Sequence, residues 1–222
     1  MGDQMDYSIG ISNLKWLIPS GTNIILSGDL FSGKDLFYKY FIEKGLEEGE
    51  ACILVSTNET AQKILENFDG IKMDNFCIID CVSSRFGATV EMPFFEQIRY
   101  IESPMDLTMI MVALNEFIDN VSREKNIKKL RIVFDSVSTL LMYSNLRTVF
   151  KFLHVVSTRV RSGGGVSLLL IEEQAHDDME IKTIQQISQG IINMDSNEII
   201  IRGFKTDRVR YEIVNQHIQI KP

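Results

Sequence analysis

The sequence predicts an α/β fold: a mainly parallel sheet flanked by helices, with antiparallel strands added at the carboxyl-terminal edge. Short apolar runs at Asn23–Ser27, Ala51–Val55, Phe76–Asp80, Leu130–Phe134 and Val166–Ile171 read as buried strands. Stretches of helical period lie between most of them, which is the alternation that builds parallel sheets. From Gly190 onward strand-like segments follow one another without helices, as in a meander. At 222 residues, with no visible linker or repeat, residues 1–222 are read as a single domain.

Composition narrows the function. Hydrophobic residues make up 45% of the chain, within the globular range, and the formal charge of −7 argues against a non-specific partner of nucleic acid. The start, Met1–Asp6, is polar and acidic, and no apolar run reaches membrane-spanning length, so a cytoplasmic protein without a membrane anchor is expected. Cys52, Cys77 and Cys81 lie in or beside strands without paired C-x-x-C spacing and read as buried thiols rather than a metal site.

In chain order, Ile9–Gly21 is a turn-rich lead-in to the first strand. The helix after that strand places Leu36, Phe37, Tyr40 and Phe41 on one face and stops near Glu48-Gly49. Ala51–Val55 ends in Ser56-Thr57-Asn58-Glu59, a helix spans Thr60–Phe68, and Phe76–Asp80 closes a second strand–helix repeat. Cys81–Pro104 is irregular, interrupted by Gly87, Pro93 and Pro104, and reads as a surface excursion, a lid or a partner-binding loop. Helical period resumes with Leu107, Ile110, Met111, Leu114, Phe117, Ile118 and Val121, a core face. Leu130–Phe134, broken only by Arg131, leads into Asp135-Ser136. A helix burying Leu146, Val149, Phe150, Leu153 and Val160 closes at Ser162–Gly165. Val166–Ile171 is followed by Glu172-Glu173 and an acidic loop, then by strands at Gly190–Met194, Glu198–Phe204 and Val209–Ile220.

The stretch Thr22–Asp35, T-N-I-I-L-S-G-D-L-F-S-G-K-D, carries the clearest chemistry. Its spacing Gly28-x4-Gly33-Lys34 fits a phosphate-binding loop between a strand and a helix in all but the last position, where Asp35 replaces a hydroxyl residue. Glycines let the backbone approach a phosphate, inward N–H groups and the helix dipole hold the charge, and the lysine meets the terminal phosphates. Gly28, Asp29, Leu30, Phe31, Ser32, Gly33, Lys34 and Asp35 are therefore the candidate nucleotide-binding residues. Asp135, at the end of another strand, would share the carboxyl edge of the sheet with the loop, where open α/β folds bind ligands. It is a candidate support for Mg²⁺, or a turn aspartate; Glu59 is a candidate for activating water, or a helix-start glutamate.

With these pieces placed, the chain resembles the KaiC-like branch of the RecA-type P-loop ATPases over nearly its whole length. I-G-I-S-N-L-K-W-L-I-P-S-G-T-N-I-I-L-S-G is similar to the family's T-G-I-x-x-L-D and G-I-P-x-G opening. V-S-T-N-E-T is similar to its strand end with catalytic glutamates, I-V-F-D-S to its Mg²⁺-supporting strand end, and R-G-F-K-T-D-R-V-R-Y-E-I loosely to its late hairpin. The resemblance implies ATP and Mg²⁺ as ligands, ring-shaped hexamers with nucleotides between subunits, and Arg202 reaching the neighbour's phosphate. Four positions depart from the pattern: Phe31 replaces a glycine, Asp35 the hydroxyl residue, Asn58 one of two glutamates and Lys15 an aspartate. Together they favour a nucleotide-binding or pseudo-ATPase regulatory protein with slow or lost hydrolysis.

Two further readings stay open on the sequence. One is a working ATPase in which Asp35 itself ligates Mg²⁺. The other is a RecA-like recombination accessory, opposed by the acidic loop Glu172, Glu173, Asp177, Asp178 and Glu180, which faces a single Lys182 and would repel DNA phosphates. Lys34 is expected to pair with Asp35 or Asp135 when no phosphate is present.

Overall fold

The computed structural model describes residues 6–68, 73–86 and 96–221. The Met1–Met5 part of the polar start lies outside these residues, as does the 87–95 part of the irregular segment, with Gly87 and Pro93.

The lead-in forms a two-stranded antiparallel ribbon, Tyr7–Ser8 (β1) with Leu17–Ile18 (β2). Its Tyr7, Ile9, Ile11, Leu14 and Trp16 are buried in the core rather than displayed in turns. Asn23–Gly28 (β3) runs into the glycine-bounded loop and then Lys34–Glu47 (α1), with Gly33 as N-cap. The buried face of α1 carries Phe37, Tyr38, Phe41 and Ile42, one step round from the expected stripe, and Leu36 and Tyr40 are only partly covered. Ala51–Ser56 (β4) leads to Ala61–Asn67 (α2), capped by Thr60. Phe76–Asp80 (β5) follows, and buried Asp80 accepts the Ala61 N–H at 2.6 Å, which ties the start of α2 to the sheet.

Three elements were not legible as such. Ile98–Tyr100 (β6) is a three-residue edge strand parallel to β5, inside the segment read as irregular. Leu107–Asp119 (α3) passes into a π-helical turn, Asn120–Glu124, and Leu130–Asp135 (β7) is followed at once by a short helix, Val137–Tyr143 (α4), before Leu146–Ser162 (α5). After Val166–Ile171 (β8), the expected acidic loop is largely helix, Asp178–Gln185 (α6). Asp177 accepts the Glu180 N–H and Glu180 reaches back to Asp177, so two of those acids form a capping box.

Gly190–Asp195 (β9), Glu198–Gly203 (β10), Asp207–Val214 (β11) and His217–Lys221 (β12) complete the chain. The last expected strand is thus a hairpin, turning at Asn215-Gln216 with φ of 50° and 60°, the doubly positive pair of a tight β-turn. The ten-stranded sheet has the order β12-β11-β10-β9-β3-β8-β7-β4-β5-β6, parallel from β9 to β6 and antiparallel from β9 to β12. It is the α/β architecture the alternation implied, a mainly parallel sheet with antiparallel strands at one edge. One core lies between the sheet and α1 with the amino-terminal ribbon; the other lies under α3, α4 and α5.

Arg131, read as an interruption of β7, is fully buried. Its Nε donates to Glu50 at 2.5 Å and its Nη1 to the carbonyls of Ser8 and Phe41 at 2.7 and 2.9 Å, so the charge is compensated within the core. This cluster sits at the amino end of the strands and leaves the carboxyl edge to other chemistry.

Candidate functional site

Parallel pairing brings the ends of β3, β4, β7, β8 and β9 to one edge, and with them Asp29, Asn58, Glu59, Asp135, Glu172 and Asp195. The loop after β3 is anchored on several sides. Asp29 N–H donates to the Met194 carbonyl at 3.2 Å, Ser32 N–H to Asp29 O at 3.2 Å, and Tyr211 Oη to the Ser32 carbonyl at 2.6 Å. Gly28 is required for packing as well as for turning: at φ 152° any Cβ would run into the Met194 carbonyl.

Phe31 takes the left-handed conformation, φ 62°, in which a glycine would be at ease. Its ring is 97% exposed, so the bulky side chain points out of the loop and the strain is carried by the backbone. Leu30 is exposed beside it. The neighbouring Asp195 carboxyl raises that of Asp29 above the ordinary range, while that of Asp195 is lowered.

Lys34 is almost fully buried and pairs with neither Asp35 nor Asp135. Its ammonium donates to Gly28 O at 2.6 Å, Asp29 O at 2.9 Å and Glu172 Oε2 at 2.9 Å. The expectation fails because Asp35, in the first turn of α1, faces outward, whereas β8 is the neighbour of β3 and delivers Glu172 to the lysine. Glu172 was noted only for its charge. The rule that singled out Asp135, a carboxylate directly after a buried strand, applies to it equally.

Asp35, Asn58, Glu59 and Asp135 line one cleft of about 660 Å³ together with Phe31 and Gly33, a volume suited to a small-molecule ligand. Asp135 caps nothing, since Ser136 is the N-cap of α4. Burial pushes its carboxyl up to about 6; Glu59, Asp35 and Glu172 add to the rise, and a hydrogen bond from Asn58 Nδ2 at 3.1 Å opposes it. Asn58 Oδ1 in turn accepts from Thr139 Oγ1 at 2.6 Å. A glutamate at 58 would set a second carboxylate against Asp135, so the amide here is matched to its neighbour. Glu59 forms an ion pair with Lys63 at 2.6 Å. Tyr38, buried beside these carboxylates, has its phenol held well above the usual range, chiefly by burial.

Arg202 is not brought to this edge. It is exposed on β10 opposite Ile191, which in turn pairs with Ile25, three residues before Gly28. Among the described residues no group of three or more His, Cys, Asp or Glu side chains converges as a metal site, and no helix is long and apolar enough to cross a membrane.

The family of unknown function DUF7504 matches residues 21–193, from the strand before the loop to β9. The chain belongs to that family. It is 26% identical over 196 residues to the UPF0273 protein of Aeropyrum pernix, covering 82% of this chain and 73% of the relative. It is 24% identical over 193 residues to UPF0273 protein SSO1861 of Saccharolobus solfataricus, covering 82% of this chain but 64% of the relative. In three dimensions it is similar to the KaiC-like protein PH0186 of Pyrococcus horikoshii, with a TM-score of 0.71, 22% identity, and 99% and 100% of the two chains covered. The KaiC-like, RecA-type fold is therefore this chain's fold.

Proposed function

We propose that this chain is a KaiC-like nucleotide-binding protein, taking ATP at the Gly28–Asp35 loop and hydrolysing it slowly or not at all, and acting through the bound state rather than through turnover. The observation that carries the reading is the strand–loop–helix from Asn23 to Glu47, with Lys34 opening α1 and a carboxylate-lined cleft alongside. Slow hydrolysis follows from the partners of the residues that would handle water. Asn58 is engaged with Asp135 and Thr139, and Glu59 with Lys63.

Asp35 and Asp135 are hard oxygen donors on one cleft, and Mg²⁺ takes one or two carboxylates together with ligand phosphates, so their chemistry fits that ion. When bound it would neutralise phosphate charge. Asn58 would orient the Asp135 carboxylate, Lys34 would meet the terminal phosphates, and the start of α1 would contribute its dipole. A homo-oligomer with Arg202 directed at a neighbouring copy, and a cytoplasmic location, belong to the same proposal; DNA does not, given the acidic surface from Glu172 to Glu180.

Binding of a labelled ATP analogue with and without Mg²⁺, with phosphate release followed in the same sample, tests it. Metal-dependent binding with little release is expected. Rapid steady-state release, or no binding under either condition, would overturn it.

A further inference from the structure

The Lys34 ammonium has three N–H donors, and three acceptors within the protein take them. Two are carbonyls of the loop itself, Gly28 and Asp29, and the third is the Glu172 carboxylate at 2.9 Å. In a phosphate-binding loop this lysine serves the terminal phosphates of the ligand. Here an anion belonging to the chain already holds that donor.

Glu172 is positioned for this. It follows the last residue of β8, the strand beside β3, and its backbone N–H donates to buried Ser138 Oγ at 2.8 Å, so the base of the side chain is fixed by α4. The Glu172 side chain is 37% exposed, with room to leave Lys34 by rotation. Lys34 itself is 7% exposed and is enclosed by the loop.

We infer that Glu172 is a specificity-determining residue that stands in for a terminal phosphate, so that the loop prefers a nucleoside diphosphate to a triphosphate. The inference rests on the nucleotide reading above and adds to it the phosphate number. A third phosphate must remove Glu172 from Lys34 and then lie beside the displaced carboxylate, with Asp135 and Asp35 on the adjoining cleft. A diphosphate can occupy the loop N–H groups and the helix start, its β-phosphate taking a Lys34 donor from one of the two loop carbonyls, while the Lys34–Glu172 pair stays intact. Removing the charge at 172 without changing its shape eliminates the competition.

The test is titration of fluorescent ADP and ATP analogues at one fixed Mg²⁺ concentration into the full chain, its Glu172→Gln and Glu172→Ala variants, and Lys34→Ala. The natural chain is expected to bind the diphosphate at least about tenfold more tightly, the range of a hydrogen bond to a charged group. Both Glu172 variants should strengthen triphosphate binding by about tenfold while changing diphosphate binding less than about threefold. Thermal melting of each variant at the natural temperature establishes that the fold is kept. Equal affinities in the natural chain, or an unchanged ratio in both Glu172 variants, would overturn the role of Glu172 while Lys34-dependent binding left the nucleotide reading standing. Absence of binding, or binding indifferent to Lys34→Ala, would remove the nucleotide reading and this inference with it.

Discussion

Asp135→Asn probes the carboxylate that the fold holds at the edge of the cleft. In the native chain its pKa lies at about 6, against a reference of 3.8, and burial is the principal cause. The folded state therefore keeps a proton that the unfolded chain has lost between about pH 4 and pH 6. Stability consequently falls as pH rises through that window, with no contribution below it and the full penalty above it. A gap of that size corresponds to about 3 kcal/mol, an upper figure because the Asp135 side chain is partly open to solvent. An asparagine of the same shape can still accept the Asn58 N–H, so Asp135→Asn should be more stable than the natural chain by about 1–3 kcal/mol at pH 8 and equally stable at pH 4. Urea denaturation of both proteins at unit pH steps reads this as a difference curve, in which the other titrating groups cancel. A variant no more stable at pH 8, or a difference that does not change with pH, would show that Asp135 is not a desolvated carboxylate.

Three other outcomes are expected. Arg131→Ala leaves Glu50 and two carbonyls in the core without their guanidinium, and should destabilise the fold by about 3–5 kcal/mol in chemical denaturation; a loss under about 1 kcal/mol would mean the pair is not desolvated. Gly28→Ala meets the Met194 carbonyl at positive φ and should lower stability by about 1–3 kcal/mol, visible as a lower melting temperature; an unchanged melt would refute the close approach of loop and β9. Asp35→Thr should bind an ATP analogue more tightly in EDTA by about 1 kcal/mol, the size of an exposed charge effect, and depend less on Mg²⁺; equal metal-free affinity would show that the Asp35 charge does not oppose the nucleotide.

The strands of the parallel sheet were legible because each is a short apolar run buried on both faces, a pattern that survives without knowledge of its neighbours. That Asp135 and the loop share one edge was legible for a related reason, since the ends of such runs lie together at the carboxyl edge of a parallel sheet. What the local pattern does not encode is which strand lies beside which. The pairing of β3 with β8 decides that Lys34 meets Glu172, and charge alone pointed to the carboxylates nearer in sequence or motif. Arg131 looked like a flaw in its strand because its partner, Glu50, is 81 residues away in the chain. The acidic segment after β8 was misread for the opposite reason. Its Asp177–Glu180 spacing is a local helix-start signal, and its charge drew attention away from it. Phe31 was legible as a departure from a glycine position, but not the backbone conformation of the turn between β3 and α1 that leaves its side chain in solvent.

The account depends most directly on whether the Gly28–Asp35 loop binds nucleotide through Lys34, and titration of a fluorescent ATP analogue with Mg²⁺ into the natural chain and Lys34→Ala measures that. The account predicts saturable binding to the natural chain that is weakened at least about tenfold in Lys34→Ala, the loss expected for a charge-assisted hydrogen bond, with both proteins melting cooperatively. Indistinguishable titrations of the two proteins would contradict it.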